Sequence, residues 1–135
     1  MANKNLNLRT IGGVFIYCND PLKLSGWYSK IFGLKFDCYN PGKCYGLEFI
    51  HKESKKPEIR SATVYSFMKS KRKLPANRKE FMINYMVKDL DKLLKKLKRM
   101  KIKIEKTEDY EYGKFAWVND PEGNKLELYQ PTKVF

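Results

Sequence analysis

The sequence predicts an α+β domain of two tandem β-α-β-β-β modules whose strands form a curved mixed sheet around a cleft. Three observations carry that prediction. A β-branched and aromatic run ending in a helix-capping acid occurs twice, at Asp20 and at Asp89, 69 residues apart. An amphipathic helical pattern follows each copy, and three short strand-like runs separated by turn residues follow each helix. At 135 residues, with 42% hydrophobic and 14% aromatic side chains, the chain has the size and apolar content of a single domain with its own core.

The first module is read over residues 10–69. Its opening strand, 10–18, runs into Asn19-Asp20-Pro21, which supplies a turn, an N-cap and a proline for the first helical turn. Within 21–32, Leu24, Trp27, Tyr28 and Ile31 recur at i, i+3, i+4 and i+7, so one helix face is apolar, and Gly33 stands where a left-handed C-cap belongs. Strands are expected over 35–39, 44–51 and 61–69, with Pro41-Gly42 turning the first pair and a polar connection over 52–60. An exposed linker over 70–79 contains Pro75 and Asn77.

The second module is read over about 80–131. A strand over 80–87 precedes a helix over 90–100, which sets Leu90, Leu93, Leu94, Leu97 and Met100 against Lys92, Lys95, Lys96, Lys98 and Arg99 on its other face. Strands over 102–106, 114–118 and 125–130 complete the repeat, the last two joined by the turn Asp120-Pro-Glu-Gly-Asn124. A repeat of about 60 residues does not close a core alone, but two can combine their sheets with the helices behind.

Net charge is +13, with 28 Lys and Arg against 15 Asp and Glu. Most of the cations are Lys and they are spread over nearly every segment, which describes a solvated surface better than an Arg-based reader of nucleic acid. Nucleic acid is therefore not the expected partner. No apolar run approaches the roughly 20 residues that span a bilayer, and the start lacks a signal-peptide core, so no membrane partner and a cytoplasmic address are expected. Cys18, Cys38 and Cys44 show no CxxC spacing and read as free thiols; Cys38 and Cys44, flanking a turn, are the one pair considered for a disulfide. No P-loop, GxSxG, HExxH or dinucleotide fingerprint occurs, which leaves phosphoryl transfer, serine hydrolysis and zinc proteolysis without support.

Alternation assigns the strand faces. Val14, Ile16 and Cys18 suit the helix-packed face and leave Gly13, Phe15 and Tyr17 for the cleft. In the second module Ile83, Tyr85 and Val87 pack under the helix while Met82, Asn84 and Met86 look into the cleft. In the last strand Leu126 and Leu128 pack, and Lys125, Glu127 and Tyr129 look in.

The pairing of GVFIYCNDPLKLSGWYSKIFGL with MINYMVKDLDKLLKKLKRMKI, followed by YGKFAWVNDPEGNKLELYQP, resembles the glyoxalase/bleomycin resistance protein/dioxygenase (vicinal oxygen chelate) superfamily from about residue 11 to 131. The resemblance implies a glyoxalase-like fold, a homodimer, and a divalent metal held by one residue from each of four strands. Position by position, the final-strand ligand is present as Glu127. The two histidine positions fall on Gly13 and Met82, and the fourth falls near Tyr65 or Ser66. A relocated metal site would have Glu127, His51 and Glu48 as its candidates, and Glu127 is the one candidate catalytic group, as a general base.

The expected ligand-binding residues are Phe15, Tyr17, Tyr65, Asn84, Trp117, Glu127 and Tyr129, with Phe115 beside them, lining an apolar pocket for an aromatic molecule that is neutral or anionic, given the basic chain. Three function classes follow, in order: a metal-free small-molecule binding protein with no cofactor; a divalent-metal-dependent lyase, isomerase or dioxygenase with a nonstandard site; and a nucleic-acid binder through the basic surface.

Overall fold

The computed structural model describes residues 11, 13–51, 61–76 and 81–132. The first module consists of β1 (Gly13–Cys18), α1 (Pro21–Phe32), β2 (Asp37–Asn40), β3 (Cys44–His51) and β4 (Ser61–Lys69). The second repeats it with β5 (Met82–Met86), α2 (Leu90–Arg99), β6 (Ile104–Tyr110), β7 (Gly113–Asn119) and β8 (Lys125–Pro131). The strands form two four-stranded sheets of the same order, β1-β4-β3-β2 and β5-β8-β7-β6. Each sheet has one parallel pair, β1 with β4 and β5 with β8, and is otherwise antiparallel. The polar connection expected over 52–60 and the linker residues 77–79 lie outside the described residues, as do residue 10 of the first strand and residue 80 of the fifth.

Both helices are closed by the residues that the repeat singles out. Asp20 accepts from the Lys23 amide at 3.1 Å, and Asp89, at the equivalent place, accepts from the Lys92 amide at 3.0 Å. Gly33 ends α1 at φ 69, a left-handed conformation that a side chain would strain, and its N–H donates to the Ser29 carbonyl. α2 ends differently, with Met100 at φ −82 donating to Lys96 and Lys98.

The main departure from the sequence reading is β6. The polar run Thr107-Glu-Asp-Tyr110 lies beyond the strand expected over 102–106, yet it continues the strand, pairing residue by residue with Gly113–Ala116 across the two-residue turn Glu111-Tyr112. An edge strand tolerates this composition because one backbone edge and one face remain in water, and Thr107 and Asp109 are indeed exposed. Part of the linker is also less free than its composition suggests. The Asn19 side chain holds Leu74 from both sides, donating to its carbonyl at 2.9 Å and accepting from its amide at 2.7 Å, and Ser70 is buried.

The core lies between the sheets and the helix layer. Ile16, Cys18, Leu24, Tyr28, Ile31, Leu47, Tyr65 and Phe67 fill it in the first module, and Leu90, Leu97, Ala116, Val118, Leu126 and Leu128 in the second. The modules are joined by polar contacts as well as packing. Glu122 accepts from the Asn19 and Asp20 amides at 2.7 and 2.8 Å, capping α1 from the other module. Lys96 Nζ donates to the Ile31 carbonyl at 3.2 Å, and Phe32 stacks on Tyr85 with ring centroids 5.2 Å apart.

Beneath that seam, Tyr28 donates to the Asp120 carboxylate at 2.8 Å, and the Tyr65 and Tyr85 hydroxyls bond to each other. Asp120 also accepts from the amides of Glu122 and Asn124 and from the Asn124 side chain. Burial pushes the Asp120 carboxyl up while those donors pull it down. Burial likewise pushes the Tyr28 and Tyr65 hydroxyls far up, and Tyr85 to about 12.

Candidate functional site

The open face of the second sheet, away from the helices, brings together four of the expected site residues, Asn84, Trp117, Glu127 and Tyr129. Strand register lines its side chains up in rows. One row reads Lys106, Trp117, Glu127, Asn84 across β6, β7, β8 and β5, and the next reads Glu108, Phe115, Tyr129, Met86. At the centre, Glu127 Oε1 accepts from Asn84 Nδ2 at 2.7 Å and Oε2 accepts from Trp117 Nε1 at 3.0 Å. Two neutral donors on neighbouring strands thus fix the carboxylate plane. Lys114 points to the other face and pairs with Asp91 at 2.9 Å.

An aromatic slab borders the carboxylate. Phe115 stacks on Tyr129 at 4.8 Å and lies parallel to Trp117 at 6.0 Å, each pair within 14°. Tyr110 and Tyr112 extend it, stacked on each other at 5.4 Å and edge-on to Phe115. Those two tyrosines escape the sequence reading because the expected strand ends at 106; the signal that finds Tyr110 is its alternation, with Glu108, against Thr107 and Asp109, while Tyr112 lies in the turn.

The superfamily profile matches residues 10–128. The chain belongs to the glyoxalase/bleomycin resistance protein/dioxygenase superfamily. No curated protein matches the sequence. Among solved structures of this fold, a glyoxalase/dioxygenase from Nostoc punctiforme superposes with a TM-score of 0.71 at 17% identity, covering 98% of this chain and 100% of that one. An antibiotic-binding protein from a Streptomyces species gives 0.67 at 15% identity, over 95% of this chain and 100% of that one. A lactoylglutathione lyase from Agrobacterium tumefaciens gives 0.64 at 16% identity, over 93% and 96%. At these identities the likeness is one of fold.

The register shows which of Tyr65 and Ser66 stands where the resemblance places the fourth ligand. Ser66 pairs with Phe15 as Glu127 pairs with Asn84, so Ser66, not Tyr65, is the first-module counterpart of Glu127. The four positions are then Gly13, Ser66, Met82 and Glu127. They do not fit a divalent ion: glycine has no donor, a thioether suits soft metals, and the Ser66 hydroxyl is neutral and fully buried. The relocated set is not brought together either. Glu48 and His51, three apart on β3, point to opposite faces, and His51 Nε2 contacts Thr63 Oγ1 at 2.8 Å. Among the described residues no three His, Cys, Asp or Glu side chains cluster.

The other expected site residues divide between the two faces. Phe15 and Tyr17 stand on the open face of the first sheet, 53% and 59% exposed. Tyr65 does not: it pairs with Val14 in parallel register, shares Val14's helix-side face, and is 4% exposed inside the hydroxyl network. On the open face nearby, Gly46 faces Ser66 across β3 and β4, and the Tyr39 ring lies where a Gly46 side chain would be. Ser66 Oγ, buried there, has no hydrogen-bond partner. Cys38 pairs with Tyr45 and Cys44 with Asn40, so the two thiols sit on opposite faces of the hairpin and both are free. A cavity of about 330 Å³ off the edge of β1, bordered by Phe15, Tyr17, Leu74, Pro75, Phe81 and Glu122, does not reach Glu127.

Proposed function

We propose that this protein binds a small planar aromatic molecule on the open face of its second sheet, without a metal ion and without catalysing a reaction. The observation that carries the reading is the setting of Glu127. The one superfamily metal-ligand position that keeps its carboxylate has that carboxylate gripped by Asn84 and Trp117, beside a slab of stacked rings. A pinned acceptor next to flat apolar rings is a recognition device, orienting a ligand by one polar contact while stacking supplies the burial.

A second copy of the chain is proposed to close the site. The open faces leave Phe15, Tyr17, Ile50 and Met86 between 53% and 70% exposed, a large apolar area for a monomer to leave in water. Sedimentation at micromolar concentration should show a dimer, with Met86→Glu shifting it towards monomer. A cytoplasmic setting fits the three free cysteines.

Titration with a panel of two-ring aromatic compounds, followed by calorimetry, tests the function. Binding should survive exhaustive EDTA treatment and fall about tenfold or more in Trp117→Ala. Loss of binding on chelation, restored by Mn²⁺, Ni²⁺ or Zn²⁺, would replace this reading with the metal-dependent one.

A further inference from the structure

We infer that the ligand of the second open face carries a positively charged nitrogen on its flat ring, with Glu127 as the counter-ion; the inference rests on the binding reading above. It departs from what net charge alone suggests, and three observations support it.

First, Glu127 is held but not neutralised. A carboxylate offers about four lone-pair positions, and Asn84 and Trp117 occupy one on each oxygen, leaving two with fixed directions. Both donors are uncharged. Among the described residues no ion pair is formed to Glu127: Lys106 of its own row pairs with Glu108, and Lys125 stands two residues away on the same face.

Second, the face is charge-balanced in a basic chain. Glu105, which accepts from the Asn119 side chain at 2.8 Å and pairs with Lys103 at 3.7 Å, joins Glu108 and Glu127 there, against Lys103, Lys106 and Lys125. The protein as a whole has 28 Lys and Arg to 15 Asp and Glu. At physiological salt the long-range field decays over about 8 Å, so groups in contact decide which charge can sit beside Glu127.

Third, the rings favour the same sign. The face of an aromatic ring is the negative side of its quadrupole, and Lys106 Nζ already stands 5.8 Å from the Trp117 ring centre. A ligand carboxylate or phosphate at this place would meet Glu127 and the ring faces, both repulsive to it. A protonated amine, amidine or guanidine on an aromatic ring meets both favourably, and its N–H groups supply the donors that the two free lone-pair positions of Glu127 accept.

Calorimetric titration of the full chain with three matched probes tests this: 2-naphthylmethylamine, 2-naphthol and 2-naphthoate, at pH 7 and about 0.15 M salt. The amine is expected to bind at least about tenfold tighter than the naphthoate, and Glu127→Gln to weaken the amine about tenfold while changing the naphthoate less than about threefold. Naphthoate binding as tightly as the amine overturns the inference and leaves the aromatic-binding reading standing. An unchanged amine affinity in folded Glu127→Gln also overturns it, because the counter-ion is then another group. No binding by any of the three overturns both readings. Should Glu127→Gln fail to fold, the charge series on the unaltered protein still decides.

Discussion

In the first module a cluster of aromatic rings fills the core, with Phe15 and Tyr17 on the open face. Tyr28, Tyr65 and Phe67 are buried between sheet and helix, with Phe32 and Phe36 packed against them, and the open face has Gly46 and Ser66 at its centre. In the second module the aromatic cluster stands outside, and among the described residues only Tyr85 packs inward. Leu90, Leu97, Leu126 and Leu128 fill the core, while Phe115, Trp117 and Tyr129 stand on the open face around Glu127. The backbones repeat and the faces do not: Trp117 occupies the place of Gly46, and Glu127 that of Ser66. One copy of the repeat packs most of its rings into the core, and the other presents a carboxylate and flat rings on its open face.

The largest effect that would break this contrast is on stability. Phe67→Ala should cost about 4 kcal/mol in urea unfolding, against about 3 for Leu128→Ala at the equivalent position. The reverse order would mean that the aromatic core is not the tighter of the two. Gly46→Ala should cost about 3 kcal/mol, because its Cβ would stand 2.5 Å from the Ser66 Cβ and 2.8 Å from the Tyr65 carbonyl oxygen. At the equivalent place the second module carries an indole, so Trp117→Ala should change stability far less while weakening binding about tenfold or more.

Alkaline pH offers a finer test of the first module's interior. Burial holds Cys18 at about 12 rather than 9.0, and pushes Tyr28 and Tyr65 well above their ordinary 10.0. These groups keep their protons in the folded protein at pH values where the unfolded chain loses them. The folded state then binds more protons, so stability is intact below about pH 9 and falls as pH rises above it, by up to about 1.4 kcal/mol per pH unit for each such group. Tyr28→Phe should remove one group's share of that slope, measured by urea unfolding between pH 9 and 11. The smallest effect expected is on ligand affinity, where Ser66→Ala should change it less than about twofold; a tenfold loss would assign the first module a share in binding that its side chains do not suggest.

Much of the fold was legible because local rules agree with the tertiary structure in both copies. The paired Asp caps, the Leu stripe of α2 and the strand alternation around Ile16 and Leu128 each express burial with a regular period. β6 was legible only in part, since an edge strand needs no apolar alternation on its wet face. Tyr65 is the instructive residue in the candidate site. An aromatic in a mid-strand position looks equally suited to either face, and its parallel register with Val14 decides the matter.

The sequence by itself determined the repeat, the helices, the inward faces and the loss of ligating side chains at Gly13 and Met82. Those are properties of single residues and their spacing. The tertiary structure alone decided that Ser66 is the partner position of Glu127, that Trp117 and Asn84 hold its carboxylate, and that Glu48 and His51 point apart. Each of these depends on which residue of one strand lies opposite which residue of the next, and register is set by the summed packing and hydrogen bonding of whole strands, not by any short stretch of one.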